Sequence, residues 1–220
     1  MSENASSSAF SLSAQRTKSR RTLLLVFLTC ALPVAVAAVL YFFIRPETTN
    51  NYGTLLVPQP DVSSRAFDNI NGEAFTMQSL KGKWVLVQIM QSNCDETCQN
   101  TLYYQRQARK TKGKDMDRIE RVAFVTDSGP LSTLLLRQFP QVHFLRAKPA
   151  DLAAWLPVHG GIVGKDQGNA AVQATGNLHD HVFVVDPLGH VMMRFPNNST
   201  LDFGKFRKDL SRLLWASNIG

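Results

Sequence analysis

The sequence predicts an α/β fold, a mixed sheet flanked by helices, preceded by one transmembrane helix. Three observations carry this. Residues 22–44 (TLLLVFLTCALPVAVAAVLYFFI) hold no charge. Two apolar strand-like runs, KWVLVQIM at 83–90 and RVAFVTD at 121–127, bracket a helical pattern, as a βαβ unit requires. A third run, HVFVVD at 181–186, turns through Asp186-Pro187-Leu188-Gly189 into a partner strand and then an amphipathic helix.

Taken in order, residues 1–21 are rich in serine and basic residues and read as a short, disordered cytoplasmic tail. Residues 22–44 would extend ~34 Å as a helix, enough to cross a hydrocarbon core of ~30 Å. Pro33 is tolerated in such a helix, and Tyr41 and Phe42 suit an interface. A cleavage site at Ala35-Val36-Ala37 would leave an apolar mature end, so an uncleaved anchor is expected. Thr29 before Cys30 does not suit lipoprotein processing, which makes Cys30 a small apolar membrane residue. Arg16, Lys18, Arg20 and Arg21 precede the span and only Arg45 follows closely. The positive-inside rule then predicts a single-pass protein with its N-terminus in the cytoplasm and residues 46–220 outside it. In a bacterium with two membranes this means an inner-membrane anchor and a periplasmic C-terminal domain, the localisation expected here. Residues 45–61, with three prolines, read as a linker.

The domain is expected over 62–220. Asn71-Gly72 marks a hairpin, and residues 83–90 a buried strand. A helix follows over 95–110, a second buried strand over 121–127, a helix over 131–139, a short strand over 142–145 and a proline-started helix over 149–155. Residues 157–180 are glycine-rich and irregular, a candidate mobile cover. The hairpin over 181–195 and a helix over 201–216 close the chain, with Phe203, Phe206, Leu210, Leu213 and Leu214 at helical spacing. A βαβ unit followed by ββα is the thioredoxin-like arrangement, whose parallel half needs a right-handed crossover.

Net charge is +7. Five basic residues and one acidic one within residues 1–45 supply +4 of it, and the remaining +3 is spread over a whole domain. Without a basic stripe interleaved with aromatics, nucleic acid is excluded as a partner.

The chemistry concentrates at Cys94 and Cys98, just past the strand at 83–90, and at His181, which opens another strand. Cysteines at i and i+4 share a helix face with Cα atoms ~6 Å apart, close enough for a disulfide. The first helical turn favours a thiolate through its free N–H groups, although Asp95 and Glu96 act against this locally. If the strand at 181 runs antiparallel to that at 83–90, His181 starts at the edge where Met90 exits. Two thiolates and an imidazole suit copper in either oxidation state. Zinc stays open, with His179 as a fourth ligand. Met192 and Met193 are assigned to packing, His143, His159 and His190 to the surface, and Asn197-Asn198-Ser199 to a turn. The spacing is C-x-x-x-C, not the C-x-x-C of thiol oxidoreductases, and no proline immediately precedes the strand at His181.

These features together resemble the Sco/SenC family, thioredoxin-like copper proteins that serve cytochrome c oxidase assembly. The resemblance covers about residues 62–215. It rests on the single anchor, Cys94-x-x-x-Cys98 after a buried strand, and Asp180-His181 opening HVFVVDPLG. It implies Cys94 and Cys98 as a redox-active pair and Cys94, Cys98 and His181 as ligands of one copper ion, Cu(I) or Cu(II). The implied partner is the oxidase subunit carrying the binuclear copper centre, or another copper chaperone. The chain departs from the family at Asp95 and Gln99, where prolines are usual, at Gln91-Ser92-Asn93, and at Val125-Thr126-Asp127. Two other functions fit the same residues: a metal-independent thiol–disulfide oxidoreductase, and a non-catalytic interaction module stapled by a structural disulfide.

Overall fold

Every residue of WVLVQIM is buried, because the strand it forms lies between neighbours on both edges and layers on both faces. This strand organises a computed structural model that describes residues 4–43, 51–161, 176–197 and 201–217. The chain divides into two units, Met1–Glu47 and Thr48–Gly220.

The first unit is one helix, α1 (Asn4–Phe43), with Pro33 inside it. Its stretch Arg20–Leu40 has a mean hydropathy of 2.8 and is long and apolar enough to cross a membrane. The helix reaches back to Asn4, through residues expected to be a disordered tail. Ala, Leu, Gln, Lys and Arg in that stretch are all good helix formers.

The second unit is an eight-stranded mixed sheet, in which the edge strand Thr54–Leu55 is the one that the sequence pattern does not announce. The strands are β1 (Thr54–Leu55), β2 (Ala66–Asn69), β3 (Ala74–Thr76), β4 (Trp84–Met90), β5 (Ile119–Val125), β6 (His143–Arg146), β7 (His181–Val185) and β8 (Val191–Pro196). Their spatial order is β1-β8-β7-β4-β5-β6-β2-β3. Strand β4 pairs parallel with β5, and β5 with β6. Strand β7 pairs antiparallel with β4, and β8 with β7, as the hairpin at Asp186–Gly189 requires. That turn is held by the Asp186 carboxylate, which accepts from the amides of Leu188 and His190, and by Gly189 at φ 100°. The expected Asn71-Gly72 hairpin joins β2 to β3.

Helices α2 (Glu96–Lys110) and α5 (Phe203–Ala216) cover one face; α3 (Thr133–Gln138) and α4 (Pro149–Ala153) are short. On the helical face, Trp84, Leu86, Val182, Val184 and Met193 pack against Phe206, Leu210 and Leu214 of α5. Met90 and Ala123 pack against Cys98 and Leu102 of α2. On the other face, Val85, Val87, Ile89, Phe124 and Phe183 meet Trp155. The Phe67 and Phe124 rings sit edge to face at 4.6 Å, a contact worth ~1 kcal/mol beyond area burial. Met193 lies in the core and Met192 packs beside it, as expected.

The fold begins earlier than residue 62. Residues 44–50 of the expected linker lie outside the described residues, but Tyr52, Thr54 and Leu56 are buried and β1 pairs with β8. Prolines further along made this stretch read as a linker; its apolar side chains in fact add an edge strand. Residues 162–175, where most of the expected cover falls, and 198–200 of the expected turn also lie outside the described residues.

Candidate functional site

Strand β4 ends at Met90, and the chain turns through 91–95 before α2 starts. Two interactions from the end of β5 hold this turn. The Asp127 carboxylate accepts from the Ser92 amide at 2.9 Å and the Ser92 hydroxyl at 2.6 Å, and these bonds hold its pKa below the usual carboxylate range. Arg146 in turn donates to the Asp127 and Gly129 carbonyls. Gly129 leaves the space this needs, since a Cβ there would stand 2.1 Å from the Ser92 hydroxyl. Asp95 caps α2 by accepting from the Cys98 amide at 2.8 Å. The acid that the sequence set against a thiolate therefore starts the helix that carries the second sulfur.

Cys94 and Cys98 are joined by a disulfide, with Cα atoms 5.3 Å apart. The two sulfurs are not equivalent. Cys98 is buried while Cys94 is partly exposed, so Cys94 is the one an incoming thiolate can reach. The disulfide lines a cavity of about 580 Å³, together with Asn177, His179, Asp180 and Asn197. A smaller hollow of about 250 Å³ adjoins Cys94 beside Leu134 and Gln138.

His181 does not line that cavity. It opens β7 just before Val182, which pairs with Gln88 of β4, and strand alternation puts it on the face of Phe183, away from Val182 and Val184. Its ring meets Phe183 at 5.8 Å and the residue is 1% exposed. Of the expected set, Cys94 and Cys98 line the cavity and His181 does not: topology brings β7 to the right edge, and strand parity places this imidazole on the face of Phe183.

The imidazole on the cavity wall is His179, considered from sequence only as an extra zinc ligand. It sits in a 3₁₀ turn, Leu178–Asp180, just before β7. Its Nδ1 lies 3.0 Å from the Asn177 side-chain oxygen, an acceptor, so Nδ1 carries the proton and Nε2 the lone pair. The Thr126 hydroxyl lies 3.1 Å from Nε2 and 3.2 Å from the Met90 carbonyl and, with one proton, serves one at a time. Burial pushes the His179 pKa down, against Asp180 and Asp127, which favours the neutral ring a metal ion needs. No sequence signal separates it from His181 except strand phase.

Asn197 ties the two halves of the site together. Its side-chain oxygen accepts from the Thr101 hydroxyl at 2.5 Å, its side-chain nitrogen donates to the His179 carbonyl at 2.7 Å, and its amide donates to the Asp180 carbonyl at 2.6 Å. Thr101 stands one turn beyond Cys98; its hydroxyl also lies 3.0 Å from the Thr97 carbonyl and, with one proton, serves one acceptor at a time. Beneath α2, buried Gln88 donates to the Cys98 carbonyl at 3.1 Å and accepts from Gln105 at 2.9 Å. Among the described residues, no group of three or more His, Cys, Asp or Glu side chains is gathered to hold a metal ion. The chemistry of the donors agrees: sulfurs joined as a disulfide are not thiolates, and only reduction turns them into soft ligands.

A buried central strand leading to a cysteine pair at a helix N-terminus, with a βαβ half and a hairpin half, defines a thioredoxin-like protein. A family model described as "Transmembrane-like, thioredoxin-like, C-terminal domain" matches residues 84–160. None of the curated protein sequences matches the chain. Among solved structures, it is similar to apo Sco1 from Thermus thermophilus at 17% identity and a TM-score of 0.52, covering 75% of this chain and 98% of that one. It is similar to copper-bound yeast Sco1 at 14% identity and a TM-score of 0.50, covering 71% and 94%. It is also similar to BsSco, a member of the Sco family of cytochrome c oxidase assembly proteins with a disulfide switch, at 18% identity and a TM-score of 0.49, covering 73% and 96%. The chain therefore has the thioredoxin-like fold that Sco proteins share.

Proposed function

We propose that this chain is a Sco-type assembly factor whose Cys94–Cys98 pair alternates between a disulfide and a dithiol, the dithiol carrying one copper ion as cargo to the binuclear copper centre of cytochrome c oxidase. The observation that carries this is the disulfide at the first turn of α2, on the wall of a cavity that also holds His179. Support also comes from yeast Sco1, which shares the fold and has copper bound.

The thiol step needs a dithiol reductant. Its thiolate attacks Cys94 Sγ, Cys98 leaves as the thiolate and a mixed disulfide forms. The reductant's second thiolate then releases Cys94 and becomes part of the reductant's own disulfide. Two electrons and two protons enter the pair. The reduced sulfurs, with Nε2 of His179, form a set that suits Cu(I) or Cu(II). His179 takes the place that the sequence assigned to His181, and gives up the Thr126 hydroxyl to do so. Release of the ion to a recipient's thiolates proceeds by ligand exchange at the accessible Cys94. In this reading Arg20–Leu40 anchors the chain in the bacterial inner membrane and the domain works in the periplasm, an oxidising compartment that suits a disulfide.

The test is anaerobic copper titration of the reduced protein and its His179→Ala and His181→Ala variants. Tight binding of one ion, weakened about tenfold or more by His179→Ala and little changed by His181→Ala, is expected from the loss of one ligand. No binding in the reduced wild type removes copper from the proposal. The accessible Cys94 sulfur then favours the second reading, a metal-independent thiol–disulfide oxidoreductase acting on oxidase cysteines. A reversible reduction potential measured against glutathione tests that reading. A pair that resists reduction at every accessible poise is a structural staple.

A further inference from the structure

We infer that the outer face of α5 docks the domain onto an anionic lipid bilayer surface; the inference rests on the membrane anchoring proposed above. The inner face of this helix is core: Phe206, Leu210 and Leu214 are buried. Its outer face carries Lys205, Arg207, Lys208 and Arg212, all exposed. Lys205, Lys208, Arg212 and Trp215 follow one another at steps of three, four and three residues and so form one stripe. The only acid in the helix, Asp209, is buried, with one carboxylate oxygen 3.3 Å from the Arg212 guanidinium. Lys112 adds to the basic face, its ammonium donating to the Arg207 carbonyl and the Ser211 hydroxyl. The domain and linker together (46–220) carry only +3, and four cations lie on this one helix.

Trp215 ends the stripe and is 88% exposed. The other two tryptophans, Trp84 and Trp155, are 4% and 2% exposed, so the fold has room for indoles in its core and leaves this one out. Cations beside an exposed indole make the composition of a helix that lies in a membrane interface: the charges meet lipid phosphates and the ring sits at headgroup level.

The route of the chain argues for the same occupant. The domain's first described residues are fastened to this helix. The Tyr52 and Gly53 amides both donate to Asp209, at 2.6 and 3.0 Å, and the Asp202 amide donates to the Tyr52 hydroxyl at 3.0 Å. The Lys205 ammonium lies 5.7 Å from the Tyr52 ring centre. Tyr52 follows the end of α1 by nine residues in sequence. An anchored chain therefore enters its domain at α5.

The experiment uses the full chain in nanodiscs of phosphatidylglycerol and phosphatidylcholine with brominated acyl chains, which quench indoles on contact. Trp215 emission is expected to shift to the blue and fall by roughly half, with recovery at high salt or in phosphatidylcholine alone. Trp215→Phe removes the quenchable component and leaves the two buried tryptophans, and Arg207→Gln with Lys208→Gln weakens the quenching without touching the core. Emission equal in brominated and unbrominated discs overturns the proposal. So does a lipid-insensitive Trp215 that shifts on adding polyglutamate, which assigns the face to an acidic polypeptide. Resistance to alkaline extraction is scored separately: it reports on the anchor, whereas quenching decides the docking face whichever way extraction falls.

Discussion

The two faces of the central strands follow different rules. On one face Val85, Val87, Ile89, Val122 and Phe124 are apolar without exception and close against Phe183 and Trp155. On the other, the face beneath α2, the same two strands place Gln88 and Arg121 among Leu86, Met90 and Ala123, with Gln105 of α2 above them. All three polar residues are at most 1% exposed. Burial, with Arg109 and Arg106 nearby, pushes the Arg121 guanidinium down to about 10. The apolar face supplies burial free energy, with polar side chains only towards its strand ends at Glu120 and His181. On the face under the cysteine helix, Gln88 and Gln105 replace some of that burial with hydrogen bonds that reach the Cys98 carbonyl. The disulfide and the buried polar residues beneath α2 thus share one side of the sheet.

The comparison breaks most readily on its apolar side. Phe183→Ala is expected to cost about 3–5 kcal/mol in denaturant unfolding while leaving the reduction potential of the folded fraction in place. A changed potential would mean that the two faces are not separable. Next, reducing the disulfide or substituting Cys94→Ser removes the cross-link, an expected loss of about 2 kcal/mol for so short a loop, together with all thiol exchange. Gln88→Ala strands the Gln105 amide and removes a donor to the Cys98 carbonyl, an expected cost of about 1–3 kcal/mol, whereas Gln88→Leu with Gln105→Leu recovers most of it. Non-additivity in that double-mutant cycle measures how far the polar pair acts as a unit. Asn197→Ala is expected to cost about 1 kcal/mol and to shift the His179 ring resonances in NMR spectra, because the bond to the His179 carbonyl is lost; unmoved resonances would deny Asn197 a positioning role.

The smallest effect is a pH dependence. Burial lowers the His179 pKa in the folded state, so the unfolded chain binds its proton first as pH falls. The stabilising contribution is therefore whole above the unfolded value, ~6.5, and lost as pH drops through the folded one. His179→Ala should remove this part of the slope from stability measured across that window.

Much of this was legible in the order of residues. The runs at 83–90, 121–127 and 181–195 mark their strands because strands buried on both faces need near-continuous apolar residues. The spacing of Cys94 and Cys98 put them within disulfide reach, and the disulfide agrees, although Cys94 stands just before the N-cap Asp95 and only Cys98 lies on the helix. The Asn71-Gly72 and Asp186–Gly189 turns followed from the backbone their residues prefer. The pattern hid β1, since a two-residue edge strand has no period to detect. It also hid Asn197, read as part of a turn, whose side chain joins α2 to the His179 turn only after folding.

Local pattern and spacing, which are properties of neighbours along the chain, by themselves determined the class of fold, the apolar span and the sulfur pair. Only the tertiary structure decided which imidazole lines the cavity with that pair. Side chains alternate faces along a strand, so the phase at which β7 starts sends His181 against Phe183 and leaves His179, two residues earlier in a turn free of that alternation, on the wall beside the disulfide.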